Sequence, residues 1–87
     1  MRLAKGLKTV INADGGIALD TRKGLMFRLN PTGALILELL AVDSTEEQIT
    51  IEIARRCRTD VNQVAADVHG FLLSLSDRGL ITREAQS

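Results

Sequence analysis

The spacing of apolar and polar positions changes once along this chain, near residue 30. Before it, Leu7, Thr9 and Ile11 alternate with Lys8 and Val10, the period of two that predicts a β-strand. Asp14-Gly15-Gly16 interrupts, Ile17-Ala18-Leu19 resumes, and the pair reads as a hairpin whose turn residues tolerate positive φ. Arg22-Lys23-Gly24 punctuates again before Leu25-Met26-Phe27-Arg28-Leu29, where Leu25, Phe27 and Leu29 share one face and Met26 and Arg28 the other. Three short strands are expected over about residues 6–29.

From Asn30 the period becomes helical. Asn30-Pro31 provides a side-chain acceptor for free N–H groups and then a residue with preset φ at the first helical position. Leu35, Ile36, Leu39 and Leu40 form the apolar stripe of this first helix. Ser44-Thr45-Glu46-Glu47 matches a capping box, with Ser44 as cap and Glu47 reaching back, and Ile49, Ile53, Ala54 and Cys57 give the second helix its inner face. Asp60 caps a third helix, on which Val61, Val64, Ala65, Val68, Phe71, Leu72 and Leu75 fall within an arc of about 120°. Gly79 ends it, near residue 78. Leu80-Ile81-Thr82 leans towards a terminal strand, and the polar tail at 83–87 is expected to fray.

The order β-β-β-α-α-α predicts an α+β domain, winged helix-turn-helix-like, with a three-stranded antiparallel sheet followed by three helices. At 87 residues there is room for one modest core, so 1–87 reads as a single domain. One Cys and one His exclude an internal disulfide and a His/Cys metal cluster, leaving an aliphatic core. No apolar run matches a signal peptide or a membrane span, and the expectation is a cytoplasmic, soluble monomer. The zero net charge is unevenly spread. Residues 1–29 carry six Lys/Arg against two Asp, while residues 30–59 and 60–87 each carry two more acids than bases. That polarity bears on partner choice rather than on fold.

Catalytic chemistry is not visible in these residues. Cys57 falls on the apolar face of its helix, as a small structural hydrophobe does, and His69 lies off the apolar stripe as a solvated histidine. Glu46 and Glu47 are accounted for by capping and the helix dipole, and the glycines lack the context of a phosphate loop. No catalytic residue, metal ligand or cofactor is expected. A winged-helix outline raises duplex DNA, but the third helix has no Lys or Arg from Asp60 to Leu75. Arg55, Arg56 and Arg58 keep a DNA-binding regulator as an alternative, although helix C-terminal dipole compensation accounts for them equally. The third strand, at 25–29, offers a different site: an unpaired sheet edge to which an extended peptide can add.

The ordered set Leu29-Asn30-Pro31-Thr32-Gly33-Ala34, an Ile-Leu-x-Leu-Leu helix, Ser-Thr-Glu-Glu-Gln-Ile, Asp60-Val61, Asp67-Val68, Phe71-Leu72 and Arg78-Gly79-Leu80 resembles PqqD. More broadly it resembles the leader-peptide recognition elements of ribosomally made, modified peptides, and the stand-alone recognition proteins of lasso peptide clusters. The resemblance covers residues from about 5 to 82. It implies that a precursor's leader pairs with strand 25–29 and lies in the groove beside the third helix. Leu25, Met26, Phe27, Arg28 and Leu29 then correspond to the pairing strand, and Val64, Asp67, Val68 and Phe71 to the facing helix. Arg28 and Asp67 would set register by pairing with leader charges. The implied partners are the precursor and a leader peptidase or macrolactam cyclase, or a radical SAM enzyme in a PqqD-type pathway, with no nucleic acid or membrane among them.

Overall fold

The computed structural model describes residues 2–82, so the polar tail expected at 83–87 lies outside the described residues. Strands β1 (Arg2–Leu3), β2 (Leu7–Asn12), β3 (Gly15–Asp20) and β4 (Leu25–Leu29) precede helices α1 (Pro31–Ala41), α2 (Glu46–Cys57) and α3 (Val61–Asp77), and β5 (Ile81–Thr82) follows. Three antiparallel strands in the order β2-β3-β4 form the main sheet. The strand expected at 80–82 is present as β5, and its partner, β1, is too short to carry a periodic signal. Leu3 lies opposite Ile81, which is buried together with Leu80.

The first hairpin turns earlier than the glycines indicate. Gly15 pairs with Asn12 and Gly16 with Ile11, so both belong to β3 and the turn is Ala13-Asp14. The Asn12 side chain closes it by accepting the Asp14 N–H at 2.9 Å. Gly15 takes φ +123°, and a Cβ there would run into the Leu29 carbonyl of β4. Glycine therefore serves a close approach of backbones rather than the turn itself. At the β3–β4 turn the buried Asp20 carboxylate accepts the N–H groups of Arg22 and Lys23, and Gly24 takes φ +70°.

Helix α1 begins as its sequence predicts, with Asn30 Oδ1 accepting the Gly33 N–H at 2.7 Å. Its buried face is Ile36, Leu37 and Leu40, with Leu35 and Leu39 half-buried. A single stripe does not describe it, because α1 lies between β3 on one side and α2 on the other. The α2 cap is Thr45, not Ser44: Thr45 Oγ1 accepts the Gln48 N–H and Gln48 Oε1 accepts the Thr45 N–H. Ser44 is already committed, since its N–H donates to the Leu39 carbonyl and finishes α1 around Asp43, at φ +62°.

Helix α3 is capped by Asp60 and closes at Gly79, whose N–H meets the Ser76 carbonyl while Leu80 N–H reaches Leu75. Only Val64, Val68, Leu72 and Leu75 of its stripe are buried; Phe71 is half-buried, and Val61 and Ala65 are exposed beside Glu46, Glu47, Thr50 and Ile51 of α2. On α2 the inner face is Ile49, Thr50 and Ile53, and Cys57 is exposed where the last turn runs out over an open groove. The core joins these residues to Ala18 of β3, Leu80 and Ile81, with Leu7, Ile11, Phe27 and Leu29 packed beneath the sheet.

Candidate functional site

Two adjoining cavities run along one side of the molecule. The first, about 330 Å³, separates β4 from α3: Met26, Phe27, Arg28 and Leu29 form one wall and Phe71, Ser74, Leu75 and Arg78 the other, with Ala18 and Leu37 among the lining residues. The second, about 460 Å³, continues between the start of α1, the end of α2 and α3, and includes Asn30, Gly33, Ile53, Cys57, Val64, Asp67 and Val68. Phe71 belongs to both. Its ring would lie 3.2 Å from a Cβ on Gly33, so the absent side chain lets the ring sit against α1.

Eight of the nine residues expected to form a site therefore line these cavities: Met26, Phe27, Arg28 and Leu29 the first, Val64, Asp67 and Val68 the second, and Phe71 both. Leu25 lines neither and is 48% exposed at the start of β4. Arg78 enters the sequence reading only within the Arg78-Gly79-Leu80 run and not as a site residue, because it follows the apolar stripe of α3. Its guanidinium lies 5.2 Å from the centroid of the Phe27 ring, a cation–π contact that bridges α3 and β4 across the groove floor. Lys23 Nζ donates to the Arg78 carbonyl at 3.3 Å. Arg78 thus brings a cation to the sheet-side cavity, Arg28 borders it from the edge strand with its register on the other face of the sheet, and Asp67 is among the residues lining the other cavity.

Elsewhere the charged groups are engaged in ways that bear on the alternatives. Glu52 receives Arg55 Nη2 and Arg56 Nε, both at 2.6 Å, and the two guanidinium hydrogen bonds, that of Arg56 foremost, hold its carboxyl below the ordinary carboxylate range. Two of the three arginines that kept DNA in view are therefore tied to their own helix. Arg58 sits at its C-cap in the left-handed region, φ +51°. His69 Nδ1 lies 2.9 Å from Glu46 Oε2, joining α3 to the first turn of α2. Among the described residues no group of His, Cys, Asp and Glu could hold a metal ion, and no helix is long and apolar enough to cross a membrane.

These features define a class: a small α+β domain, loosely winged-helix-like, with an open sheet edge beside its last helix and an apolar groove between them. The model of the PqqD family, described as coenzyme PQQ synthesis protein D, matches residues 15–81, and the chain belongs to that family. A search of curated proteins finds no match. Among solved structures the chain is similar to TbiB1 in complex with the TbiA(beta) leader peptide, at 24% identity and a TM-score of 0.89, over 99% of this chain and 100% of that one. It is also similar to lasso peptide synthetase B1 complexed with the leader peptide, at 22% identity and a TM-score of 0.83, covering 94% of this chain and 96% of the other. At these identities the likeness is one of fold.

Proposed function

We propose that this protein is a non-catalytic adaptor that binds the leader segment of a ribosomally made precursor peptide and delivers it to the enzymes that mature it. The observation that carries the reading is the cavity between β4 and α3, which lies along an edge of the sheet. A strand added to β4 would gain backbone hydrogen bonds from the edge, while its inward side chains entered the apolar space around Phe27, Leu29 and Phe71. Arg78 favours an acidic residue of the leader at the sheet-side cavity, Arg28 one on the outward side of the added strand, and Asp67 a basic one further along, which together select direction and register. The family match and two similar folds solved with leader peptides support the same reading. The pathway proposed is that of a lasso peptide, with a leader peptidase and a macrolactam cyclase as recipients; the second reading, implied by the resemblance to PqqD, is presentation to a radical SAM enzyme.

Fluorescence anisotropy with a labelled leader encoded beside this chain tests the adaptor. Binding is expected to saturate and to weaken by about tenfold or more in Arg28→Glu, a loss of about 1.4 kcal/mol, with the circular dichroism spectrum unchanged. No binding by the unaltered chain would refute the reading. Transfer is tested separately, by asking whether the chain accelerates leader cleavage by the purified peptidase.

A further inference from the structure

The cavity between α1, α2 and α3 differs in polarity from the sheet-side cavity it adjoins. Its apolar lining is Ile36, Ile53, Val64, Val68 and Phe71, and at about 460 Å³ it has room for one long side chain. Two of the polar residues that line it are committed to the backbone: Asn30 Oδ1 accepts the Gly33 N–H, and the Thr59 hydroxyl donates to the Cys57 carbonyl. Gln63 and Asp67 are not, and with Phe71 they follow one another at i, i+4 and i+8 along α3. Asp67 is the one charged residue among those lining the cavity. It has no basic residue three or four positions away on its helix, and among the described residues its carboxylate has no hydrogen-bond or ion-pair partner.

We infer that this cavity is a subsite for a lysine or arginine side chain of the leader and that Asp67 selects it; the inference rests on the adaptor reading above. A long basic side chain suits the site in both its parts. Its alkyl stem covers the apolar lining, while its charged head reaches the Asp67 carboxylate and the Gln63 amide oxygen as acceptors. An acidic side chain would meet Asp67 with no cation to offset it, and an apolar one would leave that carboxylate without a partner. The subsite also fixes a spacing on the leader. Asp67 and Arg78 are eleven residues apart, about 16 Å along the axis of α3 at 1.5 Å per residue. An extended peptide covers that length in about five residues, and side chains on one face recur every second residue, so the basic residue stands about four or six positions from the acidic one that faces Arg78. The strands of this sheet pair antiparallel, and antiparallel addition is the more stable. Since β4 runs from Phe27, beneath Arg78, towards Asn30 at the Asp67 cavity, a strand added antiparallel passes Asp67 first, and the basic residue precedes the acidic one.

The test uses the full chain and the labelled leader encoded beside it, with each Lys or Arg of the leader changed in turn to methionine. Anisotropy should single out one position, four or six residues before an Asp or Glu, whose change weakens binding by about fivefold. The same change should have little further effect on the Asp67→Asn chain, which is isosteric and already lacks the charge. Asp67→Lys should weaken the natural leader by about tenfold or more, and changing that one basic residue of the leader to glutamate should restore affinity to within about threefold. A carboxylate that only supported α3 would weaken all leaders alike and show no such rescue. The inference is overturned by a leader with no Lys or Arg whose loss matters, by unchanged affinity in both Asp67 variants, by losses that no leader charge reverses, or by tighter binding of the methionine form, which would make the cavity an apolar pocket. Failure of the unaltered chain to bind the unaltered leader refutes the adaptor reading instead.

Discussion

Replacing Phe71 by alanine separates the groove from the core, because this ring is half-buried, touches both cavities and is not part of the fully buried cluster. Truncating a fully buried phenylalanine costs about 3–5 kcal/mol, and a ring left partly open to the groove loses roughly half of that, about 1.5–2.5 kcal/mol. A domain of this size is stable by about 4–13 kcal/mol, taking 0.05–0.15 kcal/mol per residue, so Phe71→Ala remains folded over most of that range. Its effect on leader binding should be larger in proportion: the ring is the shared wall of both cavities, and its loss is expected to weaken the leader by tenfold or more. The control is Leu72→Ala, one residue on and 0% exposed, which should cost about 2–5 kcal/mol of stability while leaving the affinity of the folded molecules unchanged. Urea unfolding gives the stabilities, and anisotropy in the folded range gives the affinities. If both variants lose binding only as far as they unfold, or if folded Phe71→Ala binds leader normally, Phe71 is a core residue and the groove is not the site.

Other outcomes can be checked on the protein alone. Arg58→Gly and Asp43→Gly relieve non-glycine residues in the left-handed region, and each should raise stability by about 0.5–1 kcal/mol, more for Arg58; a lower melting temperature would contradict this. Gly15→Ala should destabilise by about 2 kcal/mol or more in urea unfolding, since φ +123° and the Leu29 carbonyl both exclude a Cβ, and leader affinity should fall as β4 shifts. Glu52, with its pKa lowered by Arg56 and Arg55, supports α2 at neutral pH; the support is present above its unfolded pKa and is lost as pH falls through the lowered folded value. Melts of the parent and Glu52→Gln should therefore differ slightly at neutral pH and converge in acid, and a gap that widens in acid would reverse the sign.

What the chain discloses about its fold is mostly what local chemistry decides. Asn30-Pro31, Asp60 and Gly79 mark helix ends because each meets a backbone need within three or four residues. Where the outcome depended on a neighbouring element, the pattern misled. Ser44-x-x-Glu47 and Thr45-x-x-Gln48 are equally good capping boxes, and the end of α1 chooses between them by taking the Ser44 N–H. Leu37 is buried because α1 has neighbours on two sides, and Cys57 is exposed because the last turn of α2 borders the open groove. Of the candidate groove, β4 and the Val64–Phe71 face were visible as alternation and stripe. Arg78 was not, since its contact with Phe27 spans more than fifty residues and leaves no local trace.

The two edges of the β2-β3-β4 sheet are not equivalent. At β4 the edge is backed by a cavity walled by α3, so an added strand would bury inward side chains as well as pair its backbone. No cavity lined by β2 and a helix flanks the other edge among the described residues, and a strand added there would gain backbone bonds alone. Pairing two strands without a shared apolar face is marginal in water. Selectivity for one edge thus needs no catalytic group or ion. It needs a groove that stays open while nothing fills it, and the aliphatic core provides that by holding α3 through Val64, Val68, Leu72 and Leu75 while Phe71 rests against Gly33 of α1 and Arg78 against Phe27 of β4.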